Sequence, residues 1–278
     1  MDTLTFGSIT VDALSDGELL LPFATLFPEV DVATFAVHGG IKGDAISAPL
    51  TTFVIRSAGR TILVDTGMGA DLGPLARYGF SGTCGLLPAA LKEAHIDPAQ
   101  VDFVVSTHLH ADHIGWNVAP GDPPRPLFPN ARYMVSQPEW SYWSATKDST
   151  VARCVRPLKA SGHLEVVPDD HVVVPGVQLL PTPGHTPGHV SVLVVGGGEG
   201  AVITGDAASH PAEIEDPSLS PPYDSDPILS AVSRKALVER VEAEGLLVLG
   251  GHFPAPHAGH VIRVGQKRAW RWLGGPSA

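Results

Sequence analysis

The stretch Ser106-Thr107-His108-Leu109-His110-Ala111-Asp112-His113-Ile114-Gly115 constrains this chain more than any other. It follows the apolar run Val101 to Val105 and sets three histidines and an aspartate within six positions. At a strand end, residues two apart point to the same side, so His108 and His110 can grip one cation with two imidazoles. Asp112 and His113 fall in the turn that follows, where a tight bend swings them toward a second cation a few ångströms away. The pattern looks like half of a dinuclear metal site. Histidine-rich turns also occur as simple hydrogen-bond formers, so the remaining ligands must come from elsewhere in the chain.

Three later strand ends offer them. Leu179-Leu180 leads into Pro181-Thr182-Pro183-Gly184-His185-Thr186-Pro187-Gly188-His189, Val202-Ile203-Thr204 into Gly205-Asp206, and Leu246 to Leu249 into Gly250-Gly251-His252. Ligands collect at strand ends in α/β proteins, and glycine beside a polar residue lets the backbone approach closely. Each of the three alone reads as a turn; together they complete a set. One metal takes His108, His110 and His185, the other takes Asp112, His113 and His252, and Asp206 bridges them. Asp65, at the end of the strand-like run Thr61 to Val64, is placed to hold a ligand imidazole by its second nitrogen.

Composition limits the substrate. The formal net charge of −11 argues against a nucleic-acid partner, which calls for a basic stripe. With 44% hydrophobic and 17% charged residues, the 278-residue chain can bury a large core. Cys84 and Cys154 form no C-x-x-C motif, so neither a disulfide framework nor a thiolate zinc site is indicated. The opening Met1-Asp2-Thr3-Leu4-Thr5-Phe6 lacks a basic signal region, and no segment approaches about 18 consecutive apolar residues. A cytoplasmic protein without membrane association is expected.

Along the chain, residues 4 to 14 read as an opening strand, Ser15-Asp16-Gly17 as a turn, and Leu19 to Gly40 as an apolar loop that either joins the core or covers a pocket for an apolar substrate. A hairpin over Leu50 to Val64 and an amphipathic helix over 84–95 follow. Ser136-Gln137-Pro138-Glu139 has the form of a capping box, which makes Trp140 to Ser144 helical. Trp116, Trp140 and Trp143 are candidates for core or for a shared pocket wall. From His163 a second strand-rich half begins, with a helix over Asp226 to Glu244 capped by Ser225 and a terminal helix over Val264 to Leu273.

In order, Asp65-Thr-Gly, His108-x-His110-x-Asp112-His113, Pro-Gly-His185, Gly-Asp206 and Gly-His252 resemble the metallo-β-lactamase superfamily across almost the whole chain. The resemblance implies a four-layer αβ/βα sandwich, an α/β fold with two mixed β-sheets face to face and helices outside. The metals would lie at one edge, between halves of about 1–160 and 161–278 of a single domain. It carries over all seven ligands and Asp65 as their support. The segment from Gly205-Asp206 through His210-Pro211, Asp216-Pro217-Ser218, Asp224-Ser225-Asp226 and Gly251-His252-Phe253-Pro254 to Gly259-His260 resembles the branch containing methyl parathion hydrolase and lactonase-like hydrolases.

The leading expectation is a dinuclear hydrolase in which a metal-bridging hydroxide attacks an ester-type carbonyl, most simply that of a lactone or other small apolar ester. Asp206 and Asp112 are the catalytic carboxylates, and Tyr223 and His210 the candidates to assist the leaving alkoxide. His189 and His260 are assigned to support of the site. Two divalent cations are expected, zinc first, with iron or manganese served by the same donors. Alternatives are an organophosphate triesterase, an acyl-CoA thioesterase, a one-iron persulfide dioxygenase and a non-catalytic binding module. A homodimer is left open.

Overall fold

The computed structural model describes residues 3–275, so Met1 and Asp2 of the opening stretch lie outside the described residues. Two mixed β-sheets face each other. The first runs Leu4–Phe6, Ile9–Pro22, Ala45–Ser57, Arg60–Val64, Phe103–Val105, Arg132–Ser136 and Leu164–Val167 in spatial order, antiparallel up to Arg60–Val64 and parallel beyond it. The second runs Val172–Val174, Val177–Pro181, Val190–Gly196, Glu199–Ile203, Leu247–Leu249, Ala258–Val264 and Lys267–Trp272.

Alternation along the strands explains the layers. Phe53, Ile55, Ile62, Val64, Val192, Val194 and Ile203 meet in one cluster between the sheets. Their neighbours Val54 and Leu63 instead pack outward with Leu87, Leu91, Val151 and Leu158 of the helices Leu87–Glu93, Ser149–Cys154 and Arg156–Ala160. Leu193 and Val202 likewise pack against Leu237, Val238 and Val241 of the Pro227–Glu244 helix. Strands covered on both faces are apolar at both parities, which is why these runs read as continuous valine and leucine rather than as an alternating pattern. The result is the expected α/β/β/α sandwich.

Several local expectations are corrected. Ser15-Asp16-Gly17 is a bulge inside the long Ile9–Pro22 strand, where the register against Ala45–Ser57 shifts. The Asp16 carboxylate, fully buried, accepts from the backbone N–H groups of Met68 and Leu87, both at 2.8 Å, and from the Trp116 indole at 2.9 Å. Leu164–Val167 belongs to the first sheet, parallel to Arg132–Ser136 after a helical crossover, so the second sheet begins at Val172. The helix cap is Asp226, whose side chain accepts from Leu229 N–H. The expected terminal helix is a β-hairpin of Ala258–Val264 with Lys267–Trp272. Trp270 and Trp272 sit two apart on one face against the Pro227–Glu244 helix layer, and that period of two overrides the helical spacing.

All the ligand-bearing turns leave the strands at the same edge. Val190 N–H donates to Thr107 O and Thr51 N–H to Gly251 O, so backbone hydrogen bonds stitch the two sheets together where the turns emerge, while Thr204 N–H donates to Leu249 O within the second sheet. No helix among the described residues is long and apolar enough to cross a membrane.

Candidate metal centre

The turn after Phe103–Val105 is pinned before it reaches its histidines. Thr107 donates to Asp65 twice, from its N–H to Oδ1 and from its hydroxyl to Oδ2, both at 2.8 Å. With that hydroxyl hydrogen committed, Thr107 Oγ1 accepts from His108 Nδ1 at 3.1 Å, which leaves His108 Nε2 as a bare lone pair pointing inward. Asp65 Oδ2 also accepts from His113 Nδ1 at 2.8 Å. One carboxylate therefore fixes the tautomers of two imidazoles at once.

The same logic repeats around the cluster. His185 Nδ1–H donates to Asp224 Oδ1 at 2.9 Å, and His252 Nδ1–H donates to Pro49 O at 2.7 Å. Inner nitrogens are thereby forced face to face. His110 Nδ1 lies 2.9 Å from His185 Nε2, and His113 Nε2 lies 3.2 Å from His252 Nε2. Asp206 stands between the pairs. Its Oδ2 is 3.2 Å from His185 Nε2 and 3.9 Å from His108 Nε2, while Oδ1 is 3.2 Å from His252 Nε2 and 3.4 Å from His113 Nε2. Asp112 Oδ2 approaches His252 and His113 at 3.6 and 3.8 Å. Among the described residues three groups of donors lie within 4.8 Å of one another: His108 with His110 and His185, His108 with His113 and Asp206, and Asp112 with His113 and His252.

The donors fit cations. His108 Nε2 and Asp206 Oδ1 are buried with no hydrogen-bond partner among the described residues, a costly arrangement unless a ligand takes up their lone pairs. Burial holds His108 far below the ordinary imidazole range and His110 down to about 3, so both are neutral donors. Burial works against charge on His113 and His252 too, yet Asp206 and Asp112 raise both. The carboxylates thus demand positive charge at the centre, which protons on two histidines supply poorly and metal ions supply well.

Supporting residues fall as follows. His189 is neutral, pushed by burial to about 3; Thr182 engages its Nδ1 at 2.9 Å, and its Nε2 accepts the Asp206 N–H at 2.9 Å. Gly205, at φ 53°, makes this approach feasible, since a Cβ there would lie 2.6 Å from His189 Nε2. Tyr223 is in the pocket wall, its ring 5.7 Å from that of His185, and burial holds its phenol protonated far above the usual range. His210 also lines the pocket, but both ring nitrogens are committed: Nδ1 accepts from Ala212 N–H at the start of the Pro211–Glu215 helix, and Nε2 meets Gly39 O at 3.2 Å. His260 lies half-buried in the Ala258–Val264 strand opposite Arg271, and no hydrogen bond joins it to a cluster histidine among the described residues. Asp224 was the residue sequence reasoning missed. Its only signal was an acidic Asp-Ser-Asp turn after the Asp206 loop, and its role depends on a contact 39 positions away.

Beside the cluster is a cavity of about 510 Å³. Its floor is His110, Asp112, His185, Asp206 and His252, and its walls include Leu19, Leu21, Leu26, Phe27, Phe35 and Ile46. Of the apolar stretch 19–40, Leu19 to Pro22 lie in the Ile9–Pro22 strand rather than in a loop, and the short helices Phe23–Leu26 and Ala33–Ala36 follow. The stretch packs with Phe23, Phe27 and Phe35 ring against ring, and it faces the cavity. Trp143 stands in the wall edge-on to His110, whereas Trp116 is in the core.

The family model for the metallo-beta-lactamase superfamily matches residues 49–252. An N-acyl homoserine lactonase of Bacillus cereus is 31% identical over 223 residues, 76% of this chain and 83% of its own. Among solved structures, AidC, a dizinc quorum-quenching lactonase, matches with a TM-score of 0.82 at 19% identity, covering 98% of this chain and 97% of its own. The hydrolase AbOPH matches with a TM-score of 0.83 at 23% identity, covering 98% and 96%.

Proposed function

This chain belongs to the metallo-beta-lactamase superfamily and is a metal-dependent hydrolase, and we propose that it opens the ester ring of N-acyl homoserine lactones. The observation that carries the substrate reading is the cavity itself, with a floor of metal donors under apolar walls. Such a shape suits a molecule with one reactive carbonyl and an aliphatic tail.

In this reading His108, His110 and His185 would hold one cation and Asp112, His113 and His252 the other, with Asp206 available as a donor to both. Zinc suits the nitrogen and oxygen donors. When bound, the two cations supply Lewis acidity and a coordinated water acidic enough to ionise near neutral pH. The protein's share is positional. Asp65, Asp224 and the Pro49 carbonyl hold the outer nitrogens of His113, His185 and His252, so the inner ones stay aimed at the centre. Tyr223, a neutral phenol at the cavity wall, is the proposed donor to an ester oxygen. His210 is read as wall and helix cap rather than proton donor, because both its nitrogens serve the backbone.

The test is a substrate panel on zinc-loaded protein: N-acyl homoserine lactones, a phosphotriester, an acyl-CoA thioester, and a persulfide with oxygen uptake on iron-loaded protein. Acylated lactones are expected to react fastest. Untouched lactones beside turnover of any other class would overturn the reading.

A further inference from the structure

Glu139 has no part in the metal geometry above, yet it is fully buried, and its hydrogen-bond donors among the described residues are all neutral groups. Its sequence position made it half of a capping box. Ser136 Oγ does accept from Glu139 N–H at 3.2 Å, but the Glu139 side chain does not return to Ser136 N–H. It turns inward, and its two oxygens divide their work. Oε1 accepts from Leu109 N–H at 2.9 Å and from the Trp143 indole at 2.7 Å. Oε2 accepts from the Thr186 hydroxyl at 2.7 Å and from Gly188 N–H at 3.0 Å.

Each partner is adjacent to something the site needs. Leu109 lies between His108 and His110, Thr186 follows His185, and Trp143 is edge-on to His110 in the cavity wall. The loop of His185 is pressed flat on the same helix start: Ser136 Oγ donates to Gly188 O at 2.6 Å, and a Cβ on Gly188 would lie 1.9 Å from Glu139 N. His108 and His110 come from the first sheet and His185 from the second, and one carboxylate is hydrogen-bonded to both of their turns.

We propose that Glu139 is a positioning residue that sets the spacing of His108 and His110 against His185, and thereby the affinity of the cation site those three form. The inference rests on the dinuclear reading above. A residue that merely capped its helix would leave metal binding unchanged. A residue that spaces the three histidines affects one cation site and spares the other, of whose donors His113 and His252 are held by Asp65 and the Pro49 carbonyl rather than by Glu139.

Four donors face Glu139, so an amide is a discriminating substitute. Glu139→Gln keeps one acceptor oxygen but presents N–H groups to two donors; the Thr186 hydroxyl can turn to accept, and Gly188 N–H cannot. Stepwise zinc titration of the metal-free, folded protein against a chelating competitor, followed by cobalt substitution and its visible spectrum, reads the two sites separately. Wild type should bind two equivalents. Glu139→Gln should weaken one step by about 10- to 100-fold, the usual effect of a lost ligand-supporting partner, and leave the other within about threefold. Thr186→Val, which removes one donor and keeps the volume, should weaken the same step by less, and it serves if Glu139→Gln does not fold. Unchanged binding, or equal loss at both steps, would overturn the proposal while leaving the dinuclear reading intact. Fewer than two equivalents in wild type would overturn both.

Discussion

His189 Nε2 accepts the backbone N–H of Asp206 at 2.9 Å, so the residue that stands between the two histidine pairs is held by a histidine that is not one of them. Burial keeps His189 neutral down to about pH 3, which preserves that acceptor across the physiological range. His189→Ala should leave a buried N–H unpaired and cost about 1–3 kcal/mol of stability, with a further loss for the cavity. Denaturant unfolding of metal-free protein checks this. Metal-loaded protein should also release zinc to a chelator faster than wild type, and an unchanged release rate would show that Asp206 needs no such support.

Asp16 holds the approach to the site through backbone N–H groups and one indole. Its carboxylate accepts from Met68, Gly69 and Leu87 N–H and from the Trp116 indole, and so anchors the segment that begins at Asp65. Asp16→Ala strands several buried donors and should cost at least about 2 kcal/mol in urea unfolding, with a smaller loss in Asp16→Asn. Equal stability of wild type and Asp16→Ala would contradict the role.

Acid should act on His210. Burial, stronger than its hydrogen bond to Gly39 O, lowers this imidazole to about 4 from an ordinary 6.5. A depressed folded value means the folded protein disfavours the proton. The stability His210 contributes is full above about pH 6.5 and is lost as pH falls to about 4, at most about 3 kcal/mol. His210→Asn keeps a cap for the Pro211–Glu215 helix without the titration. Its stability should fall less than that of wild type between pH 6.5 and 4; parallel curves would contradict the assignment.

The cavity walls should set preference among acyl chains. Leu26, buried and lining the cavity, is a position where added volume takes up room for a tail. Leu26→Trp should raise KM for a long-chain acyl lactone by roughly 10-fold or more and change that for a short-chain one by less than about threefold. Steady-state kinetics on a chain-length series decides. Equal effects at every length would place the tail elsewhere.

Much of this was legible before the fold was seen, for a physical reason. Metal ligands must be particular residue types on strand-end turns, so the candidate donors among His108 to His113, His185, Asp206 and His252 stand out through glycine and apolar context. What escaped depends on distance in sequence. Asp224 meets His185 across 39 positions, and Glu139 meets Thr186 across 47, neither with a local pattern to mark the contact. The bulge at Asp16 looked like a turn because Ser-Asp-Gly is turn-like locally, while the long strand pairing on both sides overrode it. His260 is close to His252 in sequence, yet it pairs across the Ala258–Val264 strand with Arg271 and not with the cluster.

The central claim is that seven side chains hold two cations with Asp206 shared between them. Elemental analysis of zinc-loaded wild type and Asp206→Ala, paired with ring opening of an N-acyl homoserine lactone, tests it most directly. The account predicts two zinc ions per wild-type chain, and at most one with turnover abolished in the variant, since the bridging carboxylate offsets the repulsion of two adjacent cations. Near-normal activity or two retained zinc ions in Asp206→Ala would contradict it.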